Sequence, residues 1–304
     1  FPPGFAEWND KYRDTVRKFW RGDPSQRGDL AARLSGSGDL FDRRARRPWA
    51  SVNLLAAHDG FTLADTVAYE ERHNEANKED NKDGHSENYS RNWGAEGETD
   101  DAGILATRAT VQRSMLTTLF ASLGTPMLVA GDEFGRSQGG NNNAYCHDDA
   151  ISWLDWSKMD TDEGKSLFAF TARLTELRRQ YPMLRAPSFL YGDDIGTKSD
   201  VGVGDIEWWD ERGEQLSGDD WNNPEGRALL MRRAITLDSG EVEAVSLLLN
   251  ASDDAISFHM PPPHADRVVL IDSTKPDQGE IAFEDDYELA AHGAALVRWR
   301  INGE

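Results

Sequence analysis

Two short apolar runs, each ending in acidic residues, constrain this chain more than any other feature. "ASVNLLAA" leads into His58, Asp59 and Gly60, and "TPMLVAG" leads into Asp132 and Glu133. Apolar runs of this length read as short strands buried on both faces, the parallel-sheet kind. Parallel strands flanked by helices build barrels or doubly wound sheets, and both hold their ligands at the carboxyl ends of the strands. A carboxylate just past such a strand is held rigidly at that rim, so two acidic tips near each other predict a carboxylate-lined pocket. Spacing alone leaves a second use open. A strand-end Asp also caps a following helix, and Asp59 stands just ahead of a helix expected to begin near Thr62. His58 on its own reads as a hydrogen-bonded structural histidine. Gly60 permits the sharp turn that either use requires.

Helical patterns surround both runs. Phe5, Trp8, Tyr12, Val16, Phe19 and Trp20 recur at spacings of three and four, which predicts an amphipathic helix stopped by Gly22 and Pro24. "LAARLSGSGDLF" predicts a short helix and a turn, and "FTLADTVAYEERHN" a helix after the first strand. Residues 73–100 form a long polar stretch without periodicity, whose Asn and Trp content predicts an ordered binding loop. Val111, Met115, Leu119 and Leu123 then mark one stripe of a helix, with Leu116 and Phe120 beside it and Gly124 at the C-cap position. Leu167, Phe170, Leu174 and Leu177 mark another that stops before Pro182. Beyond residue 186 the pattern changes to short apolar runs separated by Gly, Pro, Asn and Asp, the mark of antiparallel strands in a sandwich or part of one. The chain therefore divides into an α/β part, 1–186, and an all-β part, 187–304.

Composition narrows the partners. The net charge is -21, which opposes nucleic acid and anionic membranes but is indifferent to a neutral substrate. No apolar run approaches about 20 residues, so no bilayer span is expected. One cysteine, Cys146, precludes an internal disulfide and fits a reducing, cytoplasmic setting. Ten Trp, seven Tyr and twelve Phe supply core and also the aromatic faces on which pyranose rings pack. There is no phosphate loop, no nucleophile elbow and no Cys/His metal spacing, so neither a cofactor nor a metal is expected. The run "EDNKDGHSENYS" places Glu79, Asn81 and Asp83 at calcium-loop positions when Gly84 takes the required glycine, but Ser90 replaces the bidentate glutamate. The chain opens at "FPPGFAEWND" without an initiator Met, which predicts that polypeptide precedes it.

"VNLLAAHDGFTLADTVAYEERHNEANKEDNKDG", followed by "GTPMLVAGDEFGRSQGGNNNAYCHDD" and "ISWLDW", closely resembles the glycogen-debranching and isoamylase branch of the α-amylase superfamily. The resemblance covers Phe1 to about Tyr181, with a C-terminal part of fitting length and β character. It implies the C-terminal part of a (β/α)8 TIM barrel followed by an antiparallel β-sandwich domain. It implies hydrolysis of α-1,6 branch linkages in glycogen or limit dextrin with retention of configuration. By the same resemblance Asp59 would be the transition-state-stabilising carboxylate, with His58 on the same sugar ring. Asn141, Asn142, Asn143, Tyr145 and Asp132 would face substrate. A retaining enzyme also needs a nucleophile and an acid/base carboxyl about 5–5.5 Å apart. The family's motifs for both precede the region matched here, so the missing N-terminal part of the same enzyme becomes an expected partner, and the chain alone is expected to be inactive. The alternatives are a non-catalytic glucan-binding fragment with Trp93, Trp153, Trp156, Trp208 and Trp209 as platforms, an α-glucan transglycosylase, and a metal-dependent barrel enzyme.

Overall fold

One small parallel sheet carries both acidic tips. In the computed structural model, which describes residues 2, 4–43, 45–195 and 202–301, it consists of β1 (Glu7–Asn9), β2 (Ser51–Leu54) and β3 (Thr125–Met127). The order is β1-β2-β3 and every pairing is parallel, with Trp8 opposite Val52 and Asn53 opposite Pro126. Buried amides and hydroxyls tie the strands together. Asn9 Nδ2 donates to Ser51 Oγ at 2.8 Å, Ser51 Oγ donates to Asn53 Oδ1 at 2.7 Å, and Asn53 Nδ2 donates to the Leu123 carbonyl at 2.8 Å. A Cβ on Gly124 would lie 2.6 Å from that Asn53 amide, so this position admits only glycine. Gly124 is thus a packing site. The preceding helix already ends at Ser122.

Among the described residues six helices accompany the sheet: α1 (Asp10–Arg21), α2 (Arg27–Leu34), α3 (Gly38–Phe41), α4 (Leu63–Thr66), α5 (Ala102–Ala121) and α6 (Asp162–Gln180). Two differ from expectation. The first helix begins at Asp10, because Asn9 caps it by accepting from Tyr12 N at 3.0 Å while Glu7–Asn9 pairs with β2. Trp8 therefore leaves the helical stripe and is exposed, whereas Tyr12, Val16, Phe19 and Trp20 are buried. Helix α4 lasts one turn rather than spanning the expected 61–74. The carbonyls of Thr66 and Ala68, which would continue it, accept instead from Arg91 N and Gly97 N of the long loop.

The β part is a six-stranded antiparallel sheet covered on one side by a two-stranded one. The large sheet contains β4 (Ile206–Trp209), β5 (Ala228–Thr236), β6 (Val242–Asn250), β8 (Asp266–Asp272), β9 (Ile281–Phe283) and β11 (Ala294–Ile301), and the small one β7 (Ile256–His259) and β10 (Asp286–Leu289). The order of the large sheet is β4-β5-β6-β11-β8-β9. Because side chains alternate across a strand, β5 and β6 feed two cores. Leu229, Met231, Val245, Leu247 and Leu249 join the core that contains Val111, Met115, Leu119 and Leu174 of α5 and α6. Leu230, Ala234, Ala244 and Leu248 join a second core completed by Phe258 and Tyr287 of the small sheet.

The first core runs without a break from α1 through α5 and α6 into the large sheet. Two buried arginines reinforce that seam where α5 ends. Arg178 Nη1 donates to the carbonyls of Phe120, Ser122 and Leu184 at 2.6, 2.8 and 2.7 Å, and Arg233 donates to Met183 and Ala121. Cations there satisfy the helix's last carbonyls and meet the negative end of its dipole.

Candidate active site

The chain past β2 is held from below by one side chain. Arg17 of α1, itself buried, donates Nε to the Leu55 carbonyl at 2.9 Å, Nη2 to the Phe61 carbonyl at 3.0 Å and Nη1 to the Asn88 carbonyl at 3.0 Å. A single guanidinium thus joins both ends of the 55–61 turn to the long loop. Burial drives its pKa down to about 9. Phe61 is fully buried beneath the turn, which is worth roughly 2 kcal/mol of apolar burial and anchors its far side. Gly60 N donates to the Asn142 carbonyl at 2.8 Å, fixing the turn to the asparagine run.

Between these anchors, His58 and Asp59 project outward. His58 is exposed, and its ring lies 5.5 Å from that of Trp8, which is 56% exposed. The Asp59 side chain is 42% exposed, and its Oδ2 lies 3.3 Å from His85 Nε2 of the long loop. Asp59 does not cap α4. Thr62 does so, accepting from Asp65 N at 3.1 Å, and Asp132 completes the cap by accepting from Leu63 N at 3.1 Å.

Asp132 therefore departs from its expected place against substrate. It is 1% exposed, and its carboxylate serves a helix start across the sheet. Burial raises its pKa to about 7 against the opposing effects of the Leu63 N–H and the Arg17 charge. A similar correction applies to Asn141 and Asn142, both buried. Asn142 Nδ2 donates to the His85 carbonyl and to Asn88 Oδ1, each at 2.9 Å, while its Oδ1 accepts from Asn74 at 2.8 Å. Asn141 donates to Asn77 Oδ1 at 2.7 Å, and Asn143 donates to Asp83 Oδ2 at 2.7 Å. Their amides are taken up in holding the loop because three asparagines and Asp83 on that loop offer complementary groups. Gly84 is obligatory there, since a Cβ would fall on the Asn142 amide oxygen and φ is +78°. Tyr145 remains exposed, at 76%.

The structure thus brings together Asp59, His58, Trp8, His85 and the asparagine clasp, and it places Asp132 beneath them. Sequence reasoning missed Arg17 and His85. Arg17 sits beside the apolar stripe of α1, where a charged residue reads as solvated. His85 lies in a stretch without periodicity, so no spacing connects it to Asp59.

No protein-family model matches this chain. Its fold is similar to that of a type I pullulanase from Bacillus subtilis strain 168 solved with maltose, with a TM-score of 0.62 over 97% of this chain and 35% of that one at 16% identity. That likeness defines the class by fold alone, a mixed α/β architecture of the α-amylase kind. Sequence narrows it further. The chain is 47% identical over 269 residues to a glycogen operon protein GlgX homolog of Mycobacterium bovis, covering 86% of this chain and 37% of that protein. It is 41% identical over 303 residues to a glycogen debranching enzyme of Yersinia pestis, covering 99% of this chain and 40% of that protein. The chain is homologous to these isoamylase-type proteins of the α-amylase family, and it spans 37–40% of their length.

Proposed function

We propose that this chain forms the later part of an α-1,6-glucosidase that opens branch points of glycogen or limit dextrin with retention of configuration. In this reading β1, β2 and β3 are later strands of a (β/α)8 barrel occupying residues 1–186, and residues 187–304 are a C-terminal β-sandwich domain. One observation carries the proposal: Asp59 stands at the carboxyl end of the middle parallel strand, rigidly anchored on both sides and uncommitted to the helix behind it. A fixed carboxylate at such a rim stabilises positive charge that develops on a sugar ring as the glycosidic bond lengthens. His58 is placed to hydrogen-bond hydroxyls of the same ring. Trp8 offers an apolar face beside it, and Tyr145 extends the exposed surface.

The nucleophile and the proton-donating carboxyl are assigned to polypeptide outside these 304 residues. The partners are therefore a branched α-glucan and that missing N-terminal part, and the setting is cytoplasmic. No described helix is long and apolar enough to cross a membrane. The reading has a two-part test. The 304-residue chain alone releases no reducing ends from a branched glucan. In a polypeptide carrying all three carboxylates, Asp59→Asn lowers the rate of linear-chain release about 10²–10³-fold with little change in KM. Hydrolysis by the isolated chain, or full turnover in the Asn variant, ends the proposal.

A further inference from the structure

A second aromatic surface lies away from the Asp59 rim, where the α/β and β parts meet. Gly28, Ala31, Ala32 and Ser35 of α2 and its C-cap, together with Trp208 of β4 and Trp221 of the 3-10 turn Gly218–Asn222, line a shallow groove of about 340 Å³. The two indoles stand edge to face, 5.9 Å apart at 77°. Both are half-buried and packed on the main core, so their rings are held in place before any ligand arrives. The rest of the lining consists of the smallest side chains in the sequence, and its hydroxyl, Ser35, already donates to the Ala31 carbonyl at 2.9 Å. Its oxygen keeps lone pairs for a ligand hydroxyl.

The other tryptophans are differently placed. Trp93 has Arg91 4.2 Å above its ring and His292 against its edge, and Trp209 lies 5.6 Å from Arg232. Trp153 and Trp156 are exposed; Trp153 donates Nε1 to Asp148 Oδ1 at 2.9 Å, and Trp156 lies against Phe134.

We propose that this groove binds a linear segment of α-1,4-glucan as a second glucan site, distinct from the Asp59 rim; the choice of ligand rests on the reading above that this chain works on α-glucan. Three features select that ligand. The volume sits at the low end for a ligand pocket, and a protein partner would need an area of about 800 Å² on this side. The exposed carboxylates of Asp219 and Asp220 flank the Trp221 turn, so an anionic ligand is disfavoured. Rigid indole faces beside small side chains suit the flat apolar face of a pyranose, with hydroxyls left to the polar rim.

Maltoheptaose titrated into the 304-residue chain, followed by calorimetry and tryptophan fluorescence, tests this. Saturable binding is expected, weakened at least 10-fold by Trp221→Ala and by Ala32→Trp and unchanged by Asp59→Asn. Ala32→Trp fills the groove from the surface of α2 without removing a core aromatic, so it decides the matter even if the Trp221 variant misfolds. Unchanged affinity in Ala32→Trp overturns the proposal, and so does an absence of maltoheptaose binding in the unaltered chain. Binding lost only in Asp59→Asn overturns the groove while leaving the proposed function standing. Groove-dependent binding, together with full turnover by the Asp59→Asn variant of the polypeptide carrying all three carboxylates, does the reverse.

Discussion

Asp59 and Asp132 begin from nearly the same sequence and end in opposite situations. Each follows a short apolar strand of one parallel sheet. Asp59 is 42% exposed at the side chain and touches His85, whereas Asp132 is 1% exposed and caps α4. The difference arises after the strand. Past β2 the chain has Arg17 and Asn142 to hold a raised turn, and Thr62 to start the next helix. Past β3, by contrast, Gly131 takes a left-handed conformation and Asp132 turns inward toward Leu63 N. An acidic strand tip therefore predicts a site only when another group has already taken the helix start.

Removing Arg17 has the largest expected effect on this pair, because it serves both tips. Arg17→Met leaves the carbonyls of Leu55, Phe61 and Asn88 without their donor and deprives buried Asp132 of a nearby positive charge. A loss of about 5 kcal/mol in urea unfolding is expected. The turn carrying Asp59 should also lose amide-exchange protection at Gly60. A loss under about 1 kcal/mol would mean that the turn is held by Phe61 and Asn142 instead.

A smaller effect separates the two acids by pH. Burial raises the Asp132 pKa to about 7, so the folded protein binds that proton more tightly than the unfolded chain does. The associated stability is complete below about pH 4 and is lost as the pH rises through 7. Asp132→Asn keeps an acceptor for Leu63 N and carries no titrating group. Relative to the unaltered chain it should gain stability between pH 4 and 7, by at most about 4 kcal/mol. Parallel unfolding curves at pH 4.5 and 7.5 check this, and equal spacing of the two proteins at both values would refute it.

The same pair shows what the sequence made legible. The strand ahead of Asp59, the stripes of α5 and α6 and the short apolar runs that became β5, β6 and β11 could all be read, because each depends on local pattern. The short stop of α4 could not, since it depends on Arg91 and Gly97 arriving from a loop some 25 residues away to take its carbonyls. Strands β9 and β10 were missed because they are short and contain the exposed residues Ile281, Ala282, Asp286 and Glu288. The asparagine run pointed to a polar cluster and hid its orientation. Amides suited to a sugar hydroxyl are equally suited to Asn74, Asn77 and Asn88, and only the fold brings those within reach.

The smallest predicted effect is the sharpest test of the comparison. If Thr62 and Asp132 start α4 and Asp59 does not, stability should respond to the first two and ignore the third. Thr62→Ala removes an acceptor 3.1 Å from Asp65 N and should cost about 1 kcal/mol. Asp59→Asn loses at most one half-exposed contact with His85, so its effect should stay within about 0.5 kcal/mol. Urea midpoints measured side by side give the two values directly. A cost for Asp59→Asn equal to that for Thr62→Ala would place Asp59 among the capping groups. The contrast between the two tips would then disappear, and with it the reason to look for chemistry at the first.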